Sequence, residues 1–469
     1  MEMISEEIMK AQRQLSRVNA DFLEFVQKNP EALKRSSYSD ILNFPVGPRN
    51  KQPWPTFIDR QVKKQLQEAS TGVFHLIRQI PARIFDNNPK KLSAYFGFPP
   101  EYIHLQLEGV KGGHMENLIG RADFIFSTSG LKCCEYNISA GTSPERSLFE
   151  TAYLNNPIIS AFLHQYRVKI HNKNLFSTLS RHLYTSARKK FTPGQYPEIN
   201  LAVILPGYKK RSENEKNTAE EHFKRAYREV LKQQAPPCTG TVIFADLPHL
   251  KTENDCIFCD AKRIHILLEW YHGQIPMEVL YVVLLGNAIM FNGPITTLLT
   301  NKLNLALLSE HENSEIFSPR EREIIKAHIP WTRRIVPGKV IFAGKTFDWE
   351  DFLRSRRTGL VIKPGLEYGG KGVGIGKYTP PDQWETMIQQ ALGDENRGWI
   401  AQQYIETLPH VYQYGEEGYI RHEVVWGLFV FGSEYAGGFL RVIPKTENIK
   451  GIINTSQGAQ ETVFFEVDE

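Results

Sequence analysis

A pair of short strand-like segments joined by a polar turn most constrains how this chain can fold. Arg121–Phe126 and Leu131–Tyr136 are rich in apolar and aromatic residues, and each is about the length of a typical strand. The residues between them, Ser-Thr-Ser-Gly130, are polar and end in glycine, which is typical of a tight connection. The sequence therefore predicts a β-hairpin near residue 130.

Four polar side chains fall on this predicted hairpin in a regular pattern. Because alternate residues of a strand share a face, Arg121 pairs with Asp123 on one strand and Glu135 with Asn137 on the other. Three oxygen-bearing side chains on one surface suit Mg²⁺, and a neighbouring arginine offers a fork of donors to a phosphate. The alternative is an ordinary half-exposed hairpin with alternating polar residues, and the pattern alone leaves it open.

A glycine-rich loop much later in the chain offers complementary chemistry. Val361 and Ile362 indicate a strand that leads into Lys363, and several glycines follow closely. They are Gly369, Gly370, Gly372, Gly374 and Gly376, with Lys371 among them. Glycines let backbone N–H groups wrap around phosphate oxygens, although this loop lacks the spacing of a P-loop. A mobile surface loop is the alternative.

Composition narrows the class of protein. The 469 residues are 41% hydrophobic and 23% charged, as in ordinary globular proteins, and can form two or three subdomains. The 56 basic and 52 acidic residues nearly balance, so we expect neither a nucleic-acid nor a membrane partner. Five cysteines, no apolar export signal and no run long enough to span a bilayer lead us to expect a cytoplasmic protein.

Hydrophobic patterns divide the chain into four predicted parts of an α/β (α+β) fold. They are 1–90, mainly helical; 91–190, with the polar hairpin; 191–295, an α/β subdomain; and 296–469, with the glycine-rich loop. In the third part, strand patterns over 199–205, 240–246 and 264–268 alternate with helical patterns, which predicts a parallel sheet. We also predict a helix that starts near Ser143 and one over Leu298–Leu308.

Together these segments resemble the ATP-grasp superfamily, and most closely its circularly permuted branch typified by glutathionylspermidine synthetase. In that branch an R-x-D strand precedes an E-Y-N strand, as Arg121, Asp123, Glu135 and Asn137 do here. Ordinary ATP-grasp enzymes place the glycine-rich lid and its lysines before the metal-binding strands. Here Lys363 follows them, which is the permuted order. The resemblance runs from about 120 to 460 and leaves residues 1–110 without an assigned role.

The resemblance implies a permuted ATP-grasp fold with a pre-ATP-grasp subdomain over 191–295 and a glycine-rich lid. It implies ATP and two Mg²⁺ ions as cofactors. The residues that it places at the site are Asp123, Glu135 and Asn137 as metal ligands; Lys302, Lys363, Gly369, Gly370, Lys371 and Gly372 at the phosphates; Gln403, Tyr404 and Ile405 at the adenine; and Arg121 and Arg441 as catalytic arginines.

The activity that follows is an ATP-dependent ligase that joins a small-molecule carboxylate to an amine through an acyl phosphate. Two alternatives remain open: a phosphotransferase of the same fold, and an ATP-binding scaffold or regulatory module without turnover. The residues between Asn137 and Glu145 and the residues of the glycine-rich lid both differ from those of glutathionylspermidine synthetase. The resemblance therefore does not imply glutathione and spermidine as the substrates. A homodimer is expected only because dimers are the commonest oligomers of soluble proteins.

The cysteines are weaker candidates. Cys256 and Cys259 form one C-x-x-C pair, which is half of a zinc site, a redox pair or an incidental structural pair. Cys133 and Cys134 lie in the predicted hairpin, where core packing is the expected role. No G-x-S-x-G sequence occurs, so a serine hydrolase has no support.

Overall fold

The computed structural model describes residues 4–45, 50–109, 114–138, 146–205, 208, 213–270, 275–293, 295–394 and 398–468. Over these residues the chain is a mixed α/β protein with several separate sheets. The predicted helix start near Ser143 lies outside the described residues.

The helices are α1 Glu6–Arg13, α2 Arg17–Lys28, α3 Pro30–Leu33, α4 Ser39–Leu42, α5 Arg60–Arg83, α6 Pro89–Phe96, α7 Pro100–Glu108, α8 Arg146–Asn155, α9 Pro157–Gln165, α10 Leu175–Arg188, α11 Glu213–Lys232, α12 Met277–Leu284, α13 Thr296–Leu299, α14 Leu303–Glu310, α15 Pro319–His328, α16 Trp349–Ser355 and α17 Pro381–Gly393. The strands are β1 Thr56–Ile58, β2 Ile119–Ser127, β3 Gly130–Asn137, β4 Leu201–Ile204, β5 Val242–Ala245, β6 Lys251–Glu253, β7 Cys256–Cys259, β8 Lys262–Ile264, β9 Ile266–Glu269, β10 Ile289–Phe291, β11 Thr332–Ile335, β12 Lys339–Phe342, β13 Lys345–Asp348, β14 Leu360–Pro364, β15 Gly374–Ile375, β16 Trp399–Gln403, β17 His410–Tyr414, β18 Gly418–Phe431, β19 Glu434–Pro444, β20 Gln460–Thr462 and β21 Phe464–Glu466.

The largest sheet joins the early hairpin to strands from the end of the chain. Its order is β20-β19-β18-β2-β3, with β17 pairing the first part of β18, and all neighbours are antiparallel. The long strand β18 places Gly427 opposite Asp123 and Val425 opposite Arg441. Side chains from positions far apart in sequence therefore share one face of this sheet.

The predicted hairpin is confirmed, and it contains a β-bulge. Arg121 lies opposite Asn137 and Asp123 lies opposite Glu135, while Phe124 lies opposite Cys133. Cys134 is thus the extra residue, without a partner on β2. Because opposite residues share a face, the register puts all four polar side chains of the hairpin on one surface.

The predicted parallel sheet is also confirmed. Strands β10, β9, β4 and β5 pair in parallel in that order, with α11 between β4 and β5 in the chain. The predicted strand over 264–268 is divided, because Ile264 ends β8 in a separate antiparallel sheet and β9 begins at Ile266.

A third sheet carries the glycine-rich loop. It consists of β11, β16, β14 and β15, all antiparallel, and the loop connects β14 to β15. Lys363 and Val361 share a face of β14, and Gln402, which lies opposite Val361, points to the same side.

Helix α5 packs on one face of the largest sheet, which we call the central sheet. The Phe74 ring stacks on Tyr136 with centroids 5.1 Å apart and planes at 6°, and the Tyr136 hydroxyl donates to the Ser70 carbonyl. Tyr136 lies opposite Ala122, on the face turned away from Asp123. The polar hairpin residues therefore occupy the face that α5 leaves uncovered.

The prediction of one helix over Leu298–Leu308 was wrong, since the chain breaks between α13 and α14. The Asn304 amide donates to the carbonyls of Leu298, Leu299 and Asn301, and the Asn301 side chain accepts from the Leu303 N–H. These bonds satisfy three backbone carbonyls and one backbone N–H at the ends of the two helices, where intrahelical partners are missing. Lys302 lies at this break and is the residue that immediately precedes α14, with φ of −62° and ψ of −18°.

Buried histidines make stability depend on pH. Burial lowers the pKa of His182 and His422 to about 4 and of His410 to about 3. The unfolded chain binds protons at these sites below about pH 6.5, so stability is lost as the pH falls. Each contributes roughly 1.4 kcal/mol per pH unit. Glu150, whose pKa burial raises to about 8, has the opposite sign and offsets one of the three.

We therefore expect the urea midpoint to fall between pH 7 and pH 5. The variant His410→Phe should show a shallower decline, because one titrating group is removed. A midpoint that stays constant over this range would contradict the assignment of neutral, buried imidazoles.

The five cysteines are all free thiols. Within the described residues, no helix is long and apolar enough to cross a membrane.

Candidate functional site

Residues from widely separated parts of the chain line one cleft, which includes strands of the central sheet and of the sheet that carries the glycine-rich loop. We call it the central cleft. The predicted residues that line it are Asp123, Glu135, Lys363, Gly370, Gln403, Tyr404, Ile405 and Arg441. Those that lie beside it without lining it are Arg121, Asn137, Lys302, Gly369, Lys371 and Gly372.

Asp123 is the centre of a hydrogen-bond cluster in this cleft. Its Oδ2 lies 2.7 Å from Nη2 of Arg441 and accepts from Nδ2 of Asn137 at 3.2 Å. Its Oδ1 accepts from Nε of Arg121 at 3.4 Å. Burial alone would raise the pKa of the Asp123 carboxyl, but the two guanidinium groups outweigh it and hold this pKa below its usual value. The carboxylate is therefore ionised and available as a ligand at neutral pH.

Arg441 has a donor to spare. It is 6% exposed, and its Nε is buried without a hydrogen-bond partner among the described residues. Burial opposes its charge, yet the neighbouring Asp123 carboxylate raises the pKa of Arg441 overall. A buried donor of this kind is costly to leave unpaired, so the geometry suits an anionic oxygen brought in by a ligand.

Lys302 joins the polar hairpin to the glycine-rich loop. Its Nζ lies 3.1 Å from Oε1 of Glu135 and donates to the carbonyl of Glu367 at 2.7 Å. Its backbone N–H donates to the carbonyl of Gly365 at 2.9 Å. The break between α13 and α14 makes both contacts possible, because the ammonium group and the peptide N–H point to the same loop.

Lys363 is the second lysine of the cleft. It is 5% exposed, and its Nζ donates to the Cys134 carbonyl and to Oε1 of Gln402, both at 2.8 Å. Burial lowers the pKa of its ammonium group. The β-bulge matters here, since it presents the carbonyl of the unpaired Cys134 to the lysine. None of these partners is a carboxylate, so the charge of Lys363 is available to an anion.

The glycine-rich loop needs its glycines for conformation. Gly369, Gly370 and Gly372 have φ of +69°, +76° and +68°, which other residues rarely adopt. A Cβ on Gly370 would lie 3.0 Å from Ile452, and the Gly369 carbonyl accepts from the Ser456 hydroxyl at 3.0 Å. The loop is thus held from outside by the segment that carries Ile452 and Ser456.

The three residues predicted at the adenine differ in how their backbone N–H groups are bonded. The N–H groups of Gln403 and Tyr404 donate to the carbonyls of Trp331 and Gly359. Among the described residues the N–H of Ile405 has no such partner. The resemblance places Gln403, Tyr404 and Ile405 at the adenine. If an adenine edge binds here, the backbone N–H of Ile405 is the one of the three that can donate to it.

Four polar residues that line the cleft were not assigned to the site from the sequence: Gln402, Thr407, Glu423 and Asn454. Glu423 is 7% exposed and accepts from the Asn448 amide at 2.5 Å. Alternation along β16 and β18 would have placed Gln402 and Glu423 on a defined face, but nothing local indicates which face meets the cleft.

The residues present fit a Mg²⁺–polyphosphate ligand by charge and donor type. Four cations, Arg121, Lys302, Lys363 and Arg441, stand against three carboxylates, Asp123, Glu135 and Glu423, so one positive charge is left for an anion to balance. Hard oxygen donors come from Asp123, Glu135 and Asn137. Within the described residues no group of three or more His, Cys, Asp or Glu is placed to hold a metal. The predicted ligand set contains only two such residues and an amide.

We predict that Lys302→Met weakens ATP binding by roughly ten- to a hundredfold. The lost charge-assisted hydrogen bond accounts for about 1.5–3 kcal/mol. Isothermal titration with a non-hydrolysable ATP analogue measures it, and Lys345→Met on β13 is the matched control. Equal affinities of the two variants would contradict the role given to Lys302.

The sequence matches no protein-family model and no curated protein. Among solved structures, a similar chain is a "putative gamma-glutamylcysteine synthetase" from Methylobacillus flagellatus KT, with 11% identity, coverage of 84% of this chain and 88% of that chain, and a TM-score of 0.38. A similarity this weak carries no argument about the fold or chemistry of the present chain.

Proposed function

We propose that this chain is an ATP-dependent ligase that joins a carboxylate to an amine and releases ADP and phosphate. One observation carries the proposal: Asp123, Glu135, Lys363 and Arg441, which are distant in sequence, line a single cleft. Each has the chemistry that the motif resemblance assigns to it. The proposal includes a circularly permuted ATP-grasp fold with the four-part organisation stated above, and a cytoplasmic location.

The first half of the proposed reaction is phosphoryl transfer. A carboxylate oxygen of the substrate attacks the γ-phosphorus of ATP, the bond to the bridging oxygen breaks, and ADP leaves. Lys302 and Lys363 neutralise phosphate charge, and Arg441 with its spare Nε donor stabilises the transferred group. Asp123, Glu135 and Asn137 would hold two Mg²⁺ ions, which supply further neutralisation of the phosphates when bound.

The second half is amide formation. The amine nitrogen attacks the acyl carbon, the carbon–oxygen bond to phosphate breaks, and the nitrogen loses a proton. We assign stabilisation of the oxyanion to Arg121 and Arg441, which both contact the Asp123 carboxylate, at 3.4 and 2.7 Å. The glycine-rich loop excludes water, which would otherwise hydrolyse the acyl phosphate.

An isotope experiment tests the proposal. Pools of carboxylates and amines are first screened for phosphate release from ATP, and the active carboxylate is then labelled with ¹⁸O. We expect one ¹⁸O atom in the phosphate per turnover, because the attacking oxygen leaves with phosphorus.

The other outcomes identify the alternatives. A phosphorylated product without phosphate release would indicate a phosphotransferase. Nucleotide binding without any turnover across the pools would indicate a scaffold. Either result would overturn the ligase proposal.

A further inference from the structure

A second cleft lies at the end of the strands that carry Asp123. We call it the strand-end cleft. It has a volume of about 1040 Å³ and is lined by α5, α7, α10 and the turn between β18 and β19. Phe431, at its wall, lies opposite Ile119, four residues along β2 from Asp123 and therefore about 13 Å away along the strand. The strand-end cleft is thus separate from the central cleft.

Arg78 of α5 is the unusual residue of the strand-end cleft. Its side chain is buried, with the residue 8% exposed, and its guanidinium lies 4.5 Å from the Phe74 ring centroid. Its Nη1 donates to the carbonyls of Met115 and Glu116 at 3.3 and 3.0 Å. Within the described part of the chain it forms no ion pair with a carboxylate. Burial lowers the pKa of Arg78 in spite of the nearby Glu116 carboxylate, and an anion in the cleft would offset the cost of burying its charge.

Besides Arg78 the lining carries one cation, Lys189, and three carboxylates, Glu108, Glu116 and Glu434. Lys189, the residue that follows α10, donates to Oδ1 of Asn117 at 3.4 Å. Of the lining carboxylates, Glu434 is paired with Lys173 at 2.5 Å, and Glu108 lies 3.8 Å from His104.

Glu116 is the remaining lining carboxylate and is solvent-exposed. An exposed carboxylate in water screens a buried guanidinium poorly. The charge of Arg78 is therefore left for a ligand.

We propose that the strand-end cleft binds a small organic oxyanion, a carboxylate or a phosphate, with Arg78 as its anchor and Lys189 as a second contact. Among the described residues the hydrogen bonds of Arg78 use only Nη1, so we assign Nε–H and Nη2–H, which lie side by side on one edge of the guanidinium, to two oxygens of the ligand. Ala82, Leu107 and Met115 line the same cleft and suit an apolar part of the ligand. This site is independent of the proposed function.

Calorimetric titration of the full chain with inorganic phosphate, succinate and phenylacetate tests the proposal and distinguishes the oxyanion sources. Saturating ATP analogue with Mg²⁺ is present throughout, so that the central cleft is blocked. We expect at least one probe to bind, with about tenfold weaker binding in Arg78→Met and a smaller loss in Lys189→Met. Lys189 is exposed, so its variant remains informative if Arg78→Met does not fold. Arg60→Met, at the far, exposed end of α5, is the matched control.

The contrary results are equally defined. No binding by any of the three probes would overturn the proposal. So would equal affinities in wild type, Arg78→Met and Lys189→Met, or an equal loss in Arg60→Met.

Discussion

Glu135→Gln is expected to lower kcat by about 10²–10³-fold while leaving the affinity for ATP nearly unchanged. The substitution keeps the size of the side chain and removes one of two carboxylates at the predicted metal site. It also releases Lys302, which lies 3.1 Å from Glu135, so more positive charge faces the phosphates. The charge of the released Lys302 offsets the lost metal ligand, so we expect little change in ATP affinity, whereas transition-state stabilisation is lost. A coupled ADP assay gives kcat, and calorimetry gives the dissociation constant.

Glu253→Gln is the control for this prediction, because Glu253 is exposed on β6, away from the cleft. It should match wild type in both measurements. Full turnover by the Glu135 variant would remove this residue from the chemistry. A loss of binding as large as the loss of turnover would make its role structural instead.

Arg441→Met should be the most destabilising single change in the site and should also stop turnover. It removes the cation 2.7 Å from a carboxylate that is 6% exposed, and leaves Asp123 with Arg121 and Asn137 alone. Breaking a buried ion pair by removing one partner costs about 3–5 kcal/mol. The loss is measured as the free energy of unfolding in urea at pH 7.

A double-mutant cycle separates the ion pair from packing. Asp123→Asn combined with Arg441→Met should be more stable than Arg441→Met alone, because no uncompensated charge is buried. If the changes in unfolding free energy of the two substitutions simply add, Asp123 and Arg441 are not coupled. The ion pair between them would then not be what stabilises the site.

The sequence was sufficient for the parts of the fold that local patterns encode. The hairpin around Gly130 and the parallel strands β4, β5 and β9 follow from apolar runs bounded by turns. The β-bulge at Cys134 could not be predicted, because it is a shift in the register between β2 and β3 that the local sequence pattern does not specify. The helix break before Leu303 was missed because its apolar pattern continues through it, while the deciding bonds come from Asn304.

The site was predictable as a set of motifs but not as an assembly. The period of a strand puts Arg121 with Asp123 and Glu135 with Asn137, but it is the bulge at Cys134 that joins the two pairs on one surface, since an unbroken register would place Glu135 opposite Ala122. That β18 lies beside β2 and brings Arg441 to Asp123 is a long-range pairing that no local pattern contains. Gln402 was missed because a polar residue in a strand gives no sign of which face it joins.

Hydrogen exchange tests the central claim, that these distant segments form one nucleotide site. The full chain is exchanged with and without Mg²⁺ and a non-hydrolysable ATP analogue, which requires no knowledge of the other substrates. We expect the ligand to slow exchange together in 119–137, 360–375, 399–407 and 434–444, with little change in the parallel sheet β4–β5–β9–β10. Protection absent from all four segments, or confined to the parallel sheet, would contradict the account.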